Sequence, residues 1–134
     1  MNVRVDPRSD IPPSRQIVDT VLDAVSRGDL GSGDRLPSVR GLAEEAPVNP
    51  NTVGKAYRDL EALGVVEGRN GSGVYVTEDG PEIARGERRR ATLDTFRRAA
   101  LEAMRAGHEV DHLAAALDAA ALQGLAVARE REEA

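Results

Sequence analysis

Apolar residues recur at helical spacing along most of the chain and at strand spacing over one short stretch. In residues 14–27, SRQIVDTVLDAVSR, Ile17, Val21 and Val25 repeat at four, with Val18 and Leu22 beside them. That pattern predicts a helix with a wide apolar stripe. Pro12 and Pro13 precede it, and Ser14 is the expected N-cap. GDLGSGDRLP at 28–37 breaks the period with glycines and a proline and reads as a loop, anchored in the core by Leu30 and Leu36. Ser38 opens a short second helix to about residue 45, with Val39, Leu42 and Ala43 facing inward. Asn49 caps a third, with Pro50 at the first helical position, where a missing N–H costs nothing. This helix runs to about Leu63, burying Val53, Ala56, Tyr57, Leu60 and Leu63, and Gly64 stops it. VVEGRNGSGVYV at 65–76 has β-branched ends around a polar, glycine-rich centre. Its Asn70-Gly71 pair marks a hairpin. Three helices followed by a two-stranded wing predict a winged helix-turn-helix.

The remainder differs. EDGP at 78–81 reads as a hinge or cap. Leu93, Phe96, Ala100 and Met104 are spaced for a helix over 82–106, Gly107 interrupts, and Val110, Leu113, Leu117, Ala121 and Leu125 continue from 110 to 128. Residues 91–128 hold 13 alanines, which favour helix but contribute little apolar area. Such a pair needs a partner surface, and a second copy of the chain is the simplest. Leu93, Phe96, Leu113 and Leu117 are the expected dimerisation anchors. The predicted organisation is a winged helix-turn-helix DNA-binding domain over 1–77, a helical dimerisation region over 82–128 and a charged tail over 129–134 that frays. The fold class is mainly α with a small β-hairpin.

Composition removes most catalytic readings. The 134-residue chain has no Cys, which excludes disulfides, thiol nucleophiles and thiolate metal sites. His108 and His112 are four apart, yet Gly107 adjoins the first and only Glu109 and Asp111 lie near, so both read as surface residues. No phosphate-binding GxxxxGK[ST] or GxGxxG motif is present. No catalytic residue, cofactor or metal is therefore expected, and no enzyme. Apolar runs look too short for a membrane span, and the N-terminus lacks a signal pattern, which predicts a cytoplasmic protein without a membrane partner.

The net charge of −5 would discourage nucleic-acid binding, but the field at the contact surface is the relevant quantity. Over 35–58, Arg35, Arg40, Lys55 and Arg58 stand against Glu44 and Glu45, four positive charges to two negative. With Pro50 opening helix three, Asn51, Lys55 and Arg58 share a stripe opposite Val53, Ala56, Tyr57 and Leu60. Asn49, Asn51 and Thr52 sit at its N-terminus. That end is expected to offer free N–H groups to a phosphate and to enter the major groove. Asn pairs with adenine and Thr meets base edges. Arg40 is the leading candidate for a bidentate guanine or phosphate contact, and Arg69 and Asn70 stand at the wing tip. Each residue also has a plain structural use: Asn49 as a cap, Tyr57 as core, Lys55 and Arg58 as solvated helix residues. Their joint placement points to double-stranded DNA. The competing reading is a protein-interaction module built on a winged-helix dimer.

GDRLPSVRGLAEE at 33–45, VNPNTVGKAYRDLEALGVVE at 48–67 and GRNGSGVYV at 68–76 together resemble the GntR family of bacterial regulators, and the short C-terminal region resembles its YtrA-like subfamily. The resemblance implies a dimeric transcription factor, usually a repressor, on an inverted-repeat operator, often of a transporter operon. It implies that a short helical region, here 82–128, dimerises in place of a large effector domain, and no effector ligand follows from it. Family DNA contacts fall on Arg40, on Asn49, Asn51 and Thr52 with Lys55 and Arg58, and on Arg69 and Gly71 of the wing. The chain departs from the family pattern at Gly41, where an acid would complete a capping box, and at Gly54. It departs again at Ser72, where a wing cation is common, and at Ala46-Pro47. There Pro replaces a left-handed Gly, so the turn between helices two and three is expected to be built differently.

Overall fold

A computed structural model describes residues 1–133; Ala134, the end of the predicted tail, lies outside the described residues. The chain divides into Met1–Ala91 and Thr92–Ala134. In the first unit, α1 (Pro13–Arg27), α2 (Val39–Glu45) and α3 (Pro50–Leu63) precede a hairpin of β1 (Val66–Arg69) and β2 (Gly73–Val76). This is the predicted winged helix-turn-helix. The apolar stripe of α1 is fully buried at Ile17, Val18, Val21, Leu22 and Val25, against Leu42 of α2, Val53, Ala56 and Leu60 of α3, and Val66 and Val76 of the hairpin.

Several local expectations change. Ser14 is not the N-cap of α1: the cap is Pro12, without a side-chain hydrogen bond, and Ser14 is a buried residue of the first turn. Val3 joins the core at 1% exposure, and its N–H donates to Glu45 Oε1 at 3.4 Å, so the N-terminal segment reaches the end of α2. The loop ahead of α2 runs along the free edge of β2 and joins it through an isolated bridge. Leu36 N–H donates to Val74 O at 2.8 Å, Val76 N–H to Asp34 O at 2.9 Å, and Arg35 bridges Tyr75 antiparallel.

The helix ends share one solution. After α1, Asp29 N–H donates to Ala24 O and Gly28 N–H to Val25 O; after α3, Val65 N–H reaches Leu60 O and Gly64 N–H reaches Glu61 O. These are Schellman closures with a left-handed glycine, at φ 86° for Gly28 and 83° for Gly64. The α2 end follows the same plan, since Val48 N–H donates to Ala43 O at 3.0 Å. The glycine place is filled by Pro47, at φ 21°. The turn is thus built differently in part: the outer bond is kept, while Pro47 leaves the inner bond unmade and stands at φ 21° where the two glycines stand above 80°. The surrounding bonds and the burial of Ala46 impose this closure on a residue whose ring prefers φ near −65° and which has no N–H for the inner bond.

Helix α4 (Gly80–Arg105) begins in this unit, with Gly80 and Ala84 buried. A Cβ at Gly80 would lie 2.6 Å from the carbonyl oxygen of Val65 and 2.9 Å from Val76 Cγ1. Gly80→Ala is therefore expected to lower unfolding free energy by about 1–3 kcal/mol, because backbone cannot yield as a side-chain tip does. Denaturant titration measures it; an unchanged midpoint would show that the α4 entry relaxes freely.

The second unit holds the rest of α4 and α5 (Val110–Glu133), joined by another glycine closure at Gly107, φ 102°. Helix α5 continues through the charged residues after 128 as far as Glu133. By length and composition, Val110–Glu130 is also apolar enough to cross a membrane, contrary to the expectation from the sequence. Its apolarity comes largely from alanine, spread over a long helix rather than gathered in a run of large side chains.

Candidate nucleic-acid interface

The short α2 is capped by Ser38, whose Oγ accepts from Gly41 N–H at 3.0 Å. A Cβ at Gly41 would stand 3.0 Å from the same oxygen. Asn49 caps α3: its Oδ1 accepts from Asn51 N–H at 2.8 Å. Its carbonyl oxygen accepts from Thr52 N–H at 2.9 Å and Val53 N–H at 3.4 Å. With Pro50 lacking an N–H, the first turn of α3 is satisfied internally. The expected free N–H groups for a phosphate are therefore absent there, and side chains must make any contact.

Tyr57 fixes α3 against the segment before α2. It is buried at 5% exposure, and its hydroxyl donates to Pro37 O at 2.6 Å. Burial, with the nearby Glu45 carboxylate adding to it, raises the phenol far above its ordinary value, so it remains a donor. The predicted core role is the one observed. Opposite this buried face, Asn51, Lys55 and Arg58 are exposed and Thr52 is half-buried. Arg40 is exposed on α2 and, with Ala43, Glu44, Val48 and Pro50, lines a shallow hollow of about 370 Å³ beside the start of α3. Arg40 is thus placed next to the recognition-helix N-terminus.

The cations differ in what already neutralises them. Lys55 Nζ is 3.0 Å from Asp59 Oδ2, one turn along α3. Arg69 is 3.4 Å from Glu67, and its guanidinium lies 4.2 Å over the ring of Tyr75. Arg40 and Arg58 make no ion pair among the described residues. Gly71, at φ 71°, turns the three-residue wing loop, which remains exposed with Arg69 and Asn70. The Tyr75 platform under Arg69 was missed from the sequence. Its signal is the alternation of Val74, Tyr75 and Val76, which sends Tyr75 to the face opposite buried Val76.

In the second unit, Phe96, Ala99, Ala100 and Ala103 of α4 face Leu113, Ala116, Leu117 and Ala120 of α5 across an apolar groove of about 330 Å³. Three of the predicted anchors, Phe96, Leu113 and Leu117, thus meet; Leu93 does not line the groove. Phe96 and Leu117 are each 51% exposed. His108 and His112 stand edge to face, 6.5 Å between ring centres, and no group of three metal-ligating side chains occurs among the described residues.

A buried three-helix core, a capped α3 with one polar face and a hairpin wing define a winged helix-turn-helix protein. The family model "Bacterial regulatory proteins, gntR family" matches residues 13–76. The chain is 43% identical over 77 residues to the HTH-type transcriptional repressor YtrA of Bacillus subtilis, covering 58% of this chain and 59% of that protein. It is 40% identical over 82 residues to the HTH-type transcriptional regulator Rv1152 of Mycobacterium tuberculosis, covering 61% of this chain and 68% of that one. A GntR family transcriptional regulator from Listeria monocytogenes superposes with a TM-score of 0.68 at 28% identity, covering 82% of this chain and 96% of that structure. The protein belongs to the GntR family of bacterial regulatory proteins. The relatives matched over this region are named as transcriptional repressors or regulators. The match to YtrA spans about three-fifths of that relative.

Proposed function

We propose that this protein is a sequence-specific DNA-binding transcriptional repressor, acting as a homodimer in the cytoplasm on an inverted-repeat operator, that of a transporter operon as its family resemblance implies. The observation that carries the reading is the exposed set Arg40, Asn51, Lys55 and Arg58 on α2 and α3, opposite a wholly buried face. Helix α3 enters the major groove, Arg40, Asn49, Asn51 and Thr52 reach base edges or adjacent phosphates, and Lys55, Arg58, Arg69 and Gly71 hold the backbone. Pairing of the α4–α5 region supports the dimer, because its large apolar groups are otherwise exposed. Membrane insertion of α5 is disfavoured by Asp118 near its middle, a residue costing roughly 2.5–3.5 kcal/mol at a bilayer centre.

A salt titration of binding to the protein's own promoter DNA tests the reading. Log K should fall linearly with log salt, with a slope near −0.9 per phosphate contacted. A flat response, or equal affinity for scrambled DNA, would replace it with the protein-interaction module. Arg40→Ala is expected to weaken operator binding by about 1–3 kcal/mol with the thermal midpoint unchanged. Asn51→Ala should relax preference at one base position. Competition against single-base operator variants measures both, and a uniform loss across sequences would move Asn51 from base to backbone.

A further inference from the structure

The strand-like segment ahead of α2 puts a second cation on the wing, beside Arg69. Arg35 pairs with Tyr75, Tyr75 with Glu67, and Gly73 with Arg69. Side chains alternate across a sheet, so Arg35, Tyr75, Glu67, Gly73 and Arg69 share one face. The other face carries Val66 and Val76 into the core. On the outward face, the Arg35 side chain lies across Gly73. A Cβ there would stand 2.7 Å from its Nε, 3.2 Å from Nη2 and 3.3 Å from Cζ. The absent side chain thus leaves a seat that carries the guanidinium toward the wing loop.

This cation is poised differently from its neighbour. Arg69 is engaged by Glu67 and stacked on Tyr75. Arg35 is exposed and makes no ion pair or side-chain hydrogen bond among the described residues. The adjacent carboxylate of Asp34 is turned away, accepting from Gly31 N–H at 2.7 Å. An exposed guanidinium, held on a glycine seat and lacking a counter-charge, is ready for an anion.

We propose that Arg35 is a DNA backbone-phosphate contact of the wing, supplied from outside both the recognition helix and the wing loop, and that Gly73 serves as its seat. Arg35 then supplies the cation that Ser72 does not. The proposal rests on the DNA-binding reading above, and a phosphate contact of this kind adds affinity without base preference.

The test uses the full chain with Arg35→Gln, which keeps much of the stem on Gly73 and removes the charge, and with Arg35→Lys, which keeps the charge. Affinities for promoter DNA and for scrambled DNA are measured across a salt series. Arg35→Gln should weaken both by about five- to tenfold near physiological salt and make the log–log slope shallower by about 0.9. Arg35→Lys should retain the parental slope. A parental slope in Arg35→Gln, with the parent itself salt-dependent, overturns the Arg35 contact and leaves the DNA reading standing. A loss confined to promoter DNA also overturns it, since Arg35 would then read bases. A parent whose binding ignores salt overturns both. Unfolding midpoints guard the comparison: an affinity loss with an unchanged slope and a lowered midpoint assigns Arg35 to wing packing and rejects the contact.

Discussion

Phe96→Glu combined with Leu117→Lys is expected to give a monomer whose affinity for the full operator falls by roughly 10²–10⁴-fold. The two side chains line the same groove between α4 and α5. Opposite charges can pair across it within one chain, so helix content should persist while the surface becomes costly to bury against a second copy. The fall in affinity follows from linkage. With both half-sites engaged, the second binding event is intramolecular, and losing that advantage costs up to the stated factor without removing any DNA contact. Sedimentation velocity gives the mass, circular dichroism the helix content, and a binding titration the affinity. Association is expected because the region has too little area to bury alone: Leu101, Met104, Leu122 and Leu125 remain about half exposed or more. If the variant still sediments as a dimer, or if residues 1–78 alone dimerise and protect both half-sites, another surface holds the assembly.

Pro47→Gly is expected to raise unfolding free energy by about 2–3 kcal/mol. Backbone strain of this kind costs about 1–3 kcal/mol, and a φ of 21° is far outside the proline ring's range. Glycine accepts the left-handed conformation, as Gly28 and Gly64 do at equivalent closures. It also restores the N–H that those glycines donate to the last turn, worth about 0.5–1.5 kcal/mol. The opposing effect is the unfolded-state entropy regained when proline is lost, about 0.4–1 kcal/mol. The balance favours the folded state of the variant. Urea titration with an unchanged m value would support it, and a lowered midpoint would show that the proline suits this turn. Because Pro47 directly precedes Val48 and the Asn49 cap, operator affinity should stay level or rise.

The elements were legible in the sequence wherever a local rule decides the outcome. Periodicity at Ile17, Val21 and Val25 marked the buried face of α1, because a helix that packs on one side must repeat its apolar residues each turn. Asn49-Pro50 and Gly64 marked both ends of α3, since capping depends on residues adjacent in the chain. The same helix put Asn51, Lys55 and Arg58 opposite Val53, Tyr57 and Leu60, so the candidate face followed from period alone. Local rules fell short where distant groups compete for the same atoms. Ser14 has the chemistry of a cap but is drawn into the core by its neighbours. The first N–H groups of α3 look open to an anion until Asn49 is seen to take them with both its side chain and its carbonyl. Residues 33–36 carry no strand period of their own and bridge to β2 at Arg35 only because β2 offers an unpaired edge. Pro47 takes a backbone that proline disfavours because the Val48–Ala43 bond and the burial of Ala46 outweigh one residue's preference. The sequence by itself determined the apolar stripes of α1 and α3 and the glycine stop of α3. Tertiary structure alone decided which polar groups remain unsatisfied, because hydrogen-bond partners come from segments far apart in the chain. Arg35 on its glycine seat, 38 positions before Gly73, is the clearest case.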